Sequence, residues 1–189
     1  MREVEQAVFP TLEHLEAKKP WVLDAPKDAA PILSLCVRPA EGERQFVGRI
    51  RFDPEQGVVG DRWRWKTWMH LPDGSPDPRI QVCMLGSRVL QLVRREGTAM
   101  IHPGDTIIAD MDFSEANLPA GQRLQVGTAV LEVSDVFNTG CAKWQQRYGP
   151  AALRWINRPE NRPLRLRGIL ARVVTAGEAR LGDVVRKLG

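Results

Sequence analysis

The sequence is 189 residues long, 43% hydrophobic and 26% charged, which is enough apolar material for the core of one globular domain. It has no run of about 18 apolar residues, and its acidic N-terminal stretch lacks the apolar region of a signal peptide, so we expect neither a membrane span nor secretion. The three cysteines lie far apart, which argues against a disulfide framework or a zinc ribbon and favours a reducing cytoplasm.

The net charge of +4 is unevenly distributed along the chain. Residues 140–189 contain 11 Lys and Arg against 3 Asp and Glu, whereas residues 1–139 contain 16 against 20. Such a concentration of positive charge indicates an anionic partner. A phosphate group on a small molecule accounts for it, and nucleic acid is less favoured because the sequence carries no known nucleic-acid-binding motif.

The first half of the chain predicts a helical extension followed by strands. Residues 1–30 read as the extension, in which Pro10 opens a helix through TLEHLEAKK and Pro20 ends it. Alternating or apolar runs then predict strands, and a stretch rich in Pro, Asp and Gly predicts a loop. The strands are ILSLCVRP, VGRIRF and IQVCML, and the loop is LPDGSPDPR.

The second half predicts one clear helix, a hairpin and two short helices. In SRVLQLVRREG, Ser87 is placed to cap the helix and Gly97 to end it. RLQVGTAVLEV reads as two strands around a turn at residues 127–128. Gly149 separates CAKWQQRY from PAALRWIN, and GILARVVTAG and LGDVVRKL are the last strand candidates. The many short strands predict a mainly β fold, a closed or partly closed β-barrel with a few short flanking helices, over residues 31–189.

The stretch VFNTGCAKWQQRYG places a cysteine in a turn. Cys141 follows Gly140, where the backbone can approach a ligand closely, and Lys143 and Arg147 lie next to it in sequence. Cationic neighbours stabilise a reactive thiolate. The alternative is a buried structural cysteine, because free cysteine is among the most buried residue types.

Three other stretches carry candidate binding residues. In VVGDRWRWKTW, Asp61 and Arg62 could line a pocket, with Trp63, Trp65 and Trp68 as its aromatic walls; the alternative is a plain turn with packed tryptophans.

In MIHPGDTIIAD, His102 and Asp105 are candidate ligands, although a loop role suits them equally. In RPLRLRGILARVV, Arg165, Arg167 and Arg172 are suited to phosphate, since arginine recognises it through two parallel hydrogen bonds. Here the alternative is a solvated strand face.

These motifs, in this order, resemble the MOSC domain, which is named for the C-terminal part of molybdenum cofactor sulfurases. The resemblance covers about residues 32–188 and rests on RPAEGER, VVGDRW, HPGDTIIADMD, RLQVGTAVLEV, TGCAKWQQRYG and RGILARVVTAGEARLGDVV. It implies a barrel of the MOSC or pyruvate-kinase type, and it identifies Cys141 as the signature cysteine that binds molybdenum or carries sulfur as a persulfide.

The resemblance also implies the ligand and the partners. It points to a stand-alone, bacterial-type member that binds the molybdenum cofactor (molybdopterin), with Asp61, Arg62, Asp105 and the basic residues Lys143, Arg147, Arg165, Arg167 and Arg172 around it; pyridoxal phosphate binding is a further association of the family. Two functions stay open. One is a reductase of N-hydroxylated compounds that works with a redox partner protein, and the other is a non-catalytic carrier of sulfur or cofactor on Cys141.

Overall fold

A closed β-barrel forms the centre of the molecule in the computed structural model, which describes residues 9–95, 99 and 101–189. Eleven strands occur in these residues. They are β1 Ala30–Val37, β2 Gln45–Phe46, β3 Arg49–Asp53, β4 Gly57–Val58, β5 Val82–Gly86, β6 Ile107–Ala109, β7 Arg123–Val126, β8 Ala129–Val133, β9 Ile169–Thr175, β10 Gly177–Arg180 and β11 Val184–Lys187.

Seven of these strands make the barrel, in the order β11-β7-β8-β9-β5-β6-β1, and pairing of β1 with β11 closes it. β5 and β6 run parallel, whereas the other neighbours are antiparallel. β2 adds to β1 outside the barrel, and β10-β3-β4 form a separate small sheet. The prediction of a mainly β, closed barrel with a few short helices is confirmed, although β2, β4, β6 and β10 were not predicted.

The hairpin between β7 and β8 forms at the predicted turn. Burial alternates along both strands, so that Leu124, Val126 and Leu131 point into the barrel core. Gly127 has a φ of +60°, and a Cβ there would lie 2.1 Å from the carbonyl oxygen of Glu178. Only glycine fits this close approach between the hairpin and β10.

Three α-helices cover one side of the barrel: α1 Leu12–Leu23, α2 Ser87–Val93 and α3 Ala142–Asn157. Their apolar side chains share a second buried cluster with residues of β5 and β6. The prediction that Pro20 ends α1 was wrong, because the helix continues to Leu23. Burial of Val22 in the cluster favours continuation although proline lacks one helical hydrogen-bond donor. The boundary of the extension at residue 30 stays a prediction.

The ends of α2 differ from the prediction. Gly86 occupies the N-cap position and no side chain caps the helix; the hydroxyl of Ser87 instead donates to Asp110 Oδ1 at 3.4 Å. The helix ends at Val93, before the expected stop at Gly97, which lies outside the described residues.

The predicted break in α3 is confirmed at Gly149, which has φ +86° and ψ 168°. A Cβ on Gly149 would lie 2.7 Å from the ring of Phe9, so the break also makes room for that ring. Within the described residues, no helix is both long and apolar enough to span a bilayer.

Candidate functional site

A cleft of about 320 Å³ opens at one end of the barrel, where three pieces of chain meet. They are the loop after β1, the segment before β6 and the first half of α3. The charged and sulfur-bearing side chains that line the cleft are Arg38, Glu41, Glu43, Arg44, Arg62, Cys83, Asp105, Cys141, Lys143, Arg147 and Arg167.

Residues 103–105 form one wall of the cleft, and the segment 101–105 that contains them is held from several directions. The backbone N–H of Gly104 donates to His102 Nδ1 at 3.0 Å, and the hydroxyl of Tyr148 donates to the carbonyl oxygen of Ile101. The carbonyl oxygen of Pro103 accepts from two arginines of other elements. The segment is therefore fixed by both its own turn and its neighbours.

His102 lies behind this wall as a neutral imidazole. Its Nδ1 accepts from Gly104, and its Nε2 lies 3.3 Å from the hydroxyl oxygen of Ser34, so the proton resides on Nε2. Burial, together with the charges of Arg44 and Arg147, lowers the pKa of His102 below its ordinary value. His102 does not line the cleft; it positions the wall that does.

Asp105 and Arg167 form a buried ion pair at the inner end of the cleft. Arg167 donates to Asp105 Oδ1 at 2.7 Å, and its guanidinium lies 4.8 Å from the ring centroid of Trp144. Burial acts against the charge of Arg167, yet the attraction of Asp105 raises the pKa of Arg167 above its ordinary value. The second oxygen of Asp105 is buried with no hydrogen-bond partner among the described residues.

Asp61 acts on the cleft indirectly. Its carboxylate is 1% exposed and accepts from Arg38 through the backbone N–H at 2.9 Å and the guanidinium at 2.9 and 3.1 Å. It also accepts from the backbone N–H of Trp63, and this hydrogen bond caps the start of the 3-10 turn at Arg62–Arg64. Asp61 itself does not line the cleft, so its observed role is to orient Arg38, which does.

Cys141 is exposed at the rim of the cleft, at the N-cap position of α3. The turn before it is fixed by Asn157, whose side chain bonds to both the N–H and the carbonyl oxygen of Gly140 at 2.9 and 3.1 Å. Lys143 also lines the cleft and lies 3.6 Å from Glu41. The structure thus brings the predicted cysteine and its cationic neighbours to one site.

The other two thiols differ from Cys141 and from each other. Cys36 is fully buried, as expected for a core cysteine. Cys83 was expected to be a core cysteine too, but it is partly exposed and lines the cleft. Burial raises the pKa of both thiols above the ordinary value, so both are held as thiols at neutral pH.

The cleft has an excess of positive charge. Six cationic and three acidic side chains line it, and three of the cations are paired with acids: Arg38, Lys143 and Arg167. No acidic side chain among the described residues lies within ion-pair distance of Arg44, Arg62 or Arg147. Burial, and then the charge of Arg44, lower the pKa of Arg147. This surplus charge suits an anionic ligand.

Two of the predicted arginines lie elsewhere. Arg165 has a left-handed backbone with φ 46°, donates to the carbonyl oxygen of Leu118 and lines a different cavity. Arg172 pairs with Glu132 at 2.8 Å on the outside of the barrel. Neither lines the cleft that contains Cys141.

The tryptophan walls proposed from the sequence are not found at the cleft. Trp63 is the buried residue of the 3-10 turn, whereas Trp65 and Trp68 are exposed. The aromatic residue that lines the cleft is Trp144, which sequence reasoning missed together with Arg38 and Arg44. A signal for both arginines was present, since they begin and end the motif RPAEGER.

The donor set limits the kind of metal that fits. The described residues contain no group of three or more His, Cys, Asp and Glu side chains that could hold a metal ion. Cys141 offers a single thiolate, a soft ligand. A soft metal held by Cys141 would take its remaining ligands from a bound organic molecule, and the arginines that lack an acidic partner among the described residues suit a phosphate group.

Known structures share this fold. No family model and no curated protein matches the sequence. The YuaD protein of Bacillus subtilis aligns with a TM-score of 0.62 and 17% identity, over 82% of this chain and 93% of YuaD. YiiM of Escherichia coli aligns with a TM-score of 0.56 and 16% identity, over 84% of this chain and 70% of that protein. YiiM of Geobacillus stearothermophilus aligns with a TM-score of 0.52 and 13% identity, over 85% of this chain and 74% of that protein. At these identities the likeness shows the fold alone.

Proposed function

We propose that the cleft binds the molybdenum cofactor, with Cys141 as the thiolate ligand of the metal, and that the protein is a reductase of N-hydroxylated compounds. The observation that carries the proposal is an exposed cysteine at the rim of a cleft with three arginines that have no acidic partner among the described residues. The sequence resemblance to MOSC domains and the barrel shared with YuaD and YiiM support it.

The side chains around the cleft match the parts of such a cofactor. Arg44, Arg62 and Arg147 suit its phosphate, because a guanidinium binds phosphate oxygens through parallel hydrogen bonds. Polar groups of the wall at residues 103–105 suit the polar edge of its pterin. Asp61 takes part by holding Arg38, and the ion pair of Asp105 with Arg167 keeps the inner end of the cleft rigid.

The bound cofactor supplies two-electron redox chemistry. Reduction of an N–OH group breaks the N–O bond, consumes two electrons and two protons, and gives an N–H group and water. The electrons come from an external donor, so a reductase with this site requires a redox partner. A substrate bound in the cleft would lie next to Cys141 and be partly shielded from solvent.

A carrier is the second candidate, and the exposure of Cys141 favours it. A persulfide on Cys141 would give its outer sulfur to an acceptor thiolate and leave the Cys141 thiolate behind. An exposed thiol at the start of a helix is reachable by an acceptor on another protein. In this case the cleft arginines would hold the anionic acceptor or the cofactor during transfer.

The test is to purify the protein from a host that makes molybdenum cofactor and to measure molybdenum, pterin and sulfane sulfur per chain. The reductase predicts metal and pterin near one per chain, and turnover of an N-hydroxylated base with dithionite as reductant. Cys141→Ser is expected to lose both, since serine is a hard, protonated ligand, whereas Cys36→Ser retains them. Sulfane sulfur on Cys141 without turnover supports the carrier. A wild-type protein with none of the three overturns both candidates.

A further inference from the structure

Two exposed tryptophans mark a surface beside the cleft. We call residues 62–77 the tryptophan loop. Within it, Trp65 is 66% exposed and Trp68 is 69% exposed. Since a fully buried tryptophan removes about 150–250 Å² from water, the two together present on the order of 300 Å² of aromatic surface. The largest apolar patch on a typical monomer is of this order and is often functional, so these two side chains are a candidate interaction site.

The exposure of these side chains is built into an ordered loop. Trp63 and Met69 pack into an apolar cluster with Ile80 and Leu170. The backbone N–H groups of Trp65 and Lys66 donate to the carbonyl oxygen of Arg62 at 3.1 and 2.8 Å. At the far end, Leu71 N–H donates to the carbonyl oxygen of Ser75 at 2.8 Å. Because both ends and the middle are anchored, Trp65 and Trp68 point outward from a fixed platform.

Unpaired positive charge surrounds this aromatic surface. Arg64 and Lys66 are exposed and alternate with the tryptophans along the chain. Over the part of the chain that the structure describes, no acidic side chain forms an ion pair with either of them or with Arg62. The surface therefore complements a partner that presents carboxylates around an apolar spot.

The tryptophan loop is continuous with the cleft. Arg62, at the start of the loop, lines the cleft, and its carbonyl oxygen holds the turn that presents Trp65. The apolar cluster that anchors Trp63 and Met69 also contacts Cys83, another residue of the cleft. A protein seated on the tryptophans would therefore lie next to the cofactor site proposed above.

We propose that the tryptophan loop is the docking surface for a small acidic electron-transfer protein that supplies electrons to the cleft. The inference rests on the proposed function, because reduction of an N–O bond requires an external electron donor. The size of the patch suits it, since transient redox encounters bury less than about 1,200 Å². Tryptophan and arginine are also the residue types that carry most binding energy at protein interfaces.

Polyanions fit this surface less well. Binding of DNA typically uses about 6–10 phosphate contacts, and the loop offers only two exposed cations. The turn at its tip also presents the carboxylate of Asp73, which is exposed and would face phosphates or anionic lipids at close range. A partner with a small, shaped acidic surface avoids this repulsion.

The experiment compares two loop variants with two matched controls, using a flavodoxin and a plant-type ferredoxin as acidic carriers. The loop variants are Trp65→Ser/Trp68→Ser and Arg64→Glu/Lys66→Glu. The controls change other exposed residues outside the loop, Leu33→Ser/Leu181→Ser and Arg51→Glu/Arg186→Glu. Binding is measured with cofactor-free protein at low and physiological salt. Turnover of the cofactor-loaded protein is measured with reduced carrier and, separately, with dithionite.

We expect a carrier to bind the wild type, more weakly at higher salt, and both loop variants to bind it at least about tenfold more weakly, whereas the controls stay within about twofold. Carrier-driven turnover should fall in the loop variants while dithionite-driven turnover is unchanged. Failure of both carriers to bind wild type overturns the docking surface, as does equal binding by wild type and loop variants. Loop-dependent binding to anionic vesicles, single-stranded DNA or a second copy in place of the carriers also overturns it. Protein without molybdenum that still binds a carrier through the loop contradicts the cofactor proposal alone.

Discussion

Arg44 and Arg147 donate to one acceptor, the carbonyl oxygen of Pro103, at 3.4 and 3.0 Å. They come from different elements, the loop after β1 and α3, and no acid among the described residues pairs with either. Two guanidinium groups that share one neutral oxygen repel each other. An anion bound between them would relieve that repulsion, which makes this pair a candidate site for a phosphate.

Loss of Arg147 is expected to weaken anion binding. Inorganic phosphate should raise the unfolding temperature of the wild type, and the dependence on its concentration gives a Kd. In Arg147→Gln we expect a Kd about tenfold higher, because a partly exposed charge-assisted hydrogen bond contributes about 1.5 kcal/mol. Arg172→Gln is the control, since Arg172 lies outside the cleft. Equal phosphate affinity in the wild type and Arg147→Gln would show that the anion binds elsewhere.

Removal of Arg167 is expected to destabilise the fold. Asp105 is 1% exposed, and Arg167 is the ion-pair partner that the structure shows for it. Arg167→Leu leaves a buried carboxylate without compensation, so we expect a loss of about 3–5 kcal/mol in the free energy of unfolding by urea. Adding Asp105→Asn should restore part of this loss, because it removes the buried charge. A loss below about 1 kcal/mol in the single variant would contradict the importance of the pair.

The three thiols are expected to react in a fixed order. Iodoacetamide at neutral pH should label Cys141 first, since it is exposed, and Cys36 last, since it is fully buried. Cys83 is expected between them, because it is partly exposed but its pKa is raised by burial. Peptide mapping over time measures the three rates. Labelling of Cys36 as fast as Cys141 would mean that the barrel opens on the timescale of the reaction.

Acid is expected to weaken the wall of the cleft through His102. Burial lowers the pKa of His102 in the folded state, so the unfolded chain binds the proton more readily. The contribution of His102 to the free energy of unfolding is therefore fully present above about pH 6.5, the pKa of histidine in the unfolded chain. It is lost as the pH falls towards the lower pKa of the folded state, by at most about 1.4 kcal/mol for each pH unit.

The test compares urea unfolding at pH 7.5 and 5.5 in the wild type and in His102→Asn, whose side-chain oxygen can still accept from Gly104. We expect the asparagine variant to lose less stability on acidification than the wild type. His70→Asn is the control, because His70 is exposed. An identical acid response in the wild type and His102→Asn would mean that His102 does not titrate in this range.

Local patterns predicted the parts of the fold that depend on neighbouring residues. The break at Gly149 and the hairpin turn at Gly127 both follow from the backbone freedom of glycine, which the sequence displays directly. Pro20 shows the limit of such reasoning. Whether α1 ends at Pro20 depends on the burial of Val22 against residues far along the chain. A local sequence pattern does not contain these distant contacts.

The candidate site was predicted most directly where its residues lie near Cys141 in sequence, although Arg62, Asp105 and Arg167, which were predicted from residue type, also line the cleft. Lys143 and Arg147 reach the cleft because they lie on the same helix that Cys141 begins. Arg38 and Arg44 are about 100 residues away and reach it only through the closed barrel. Asp61 and Arg165 were predicted from residue type, but the structure shows them bonded to other parts of the protein, Arg38 and the carbonyl oxygen of Leu118. Residue type alone does not tell a ligand contact from an internal one.

Closure of the barrel through β1 and β11 has a consequence for synthesis on the ribosome. Ala30 and Pro31 pair with Val185 and Val184, so the first barrel strand, which also pairs with β6, meets its second neighbour only after residue 185 has been made. Until then the emerging chain exposes two unpaired strand edges, which are prone to intermolecular pairing. Contacts between such distant residues also fold slowly. We infer that the cleft, whose wall at residues 103–105 leads into the barrel strand β6, becomes rigid only after translation of the last strand.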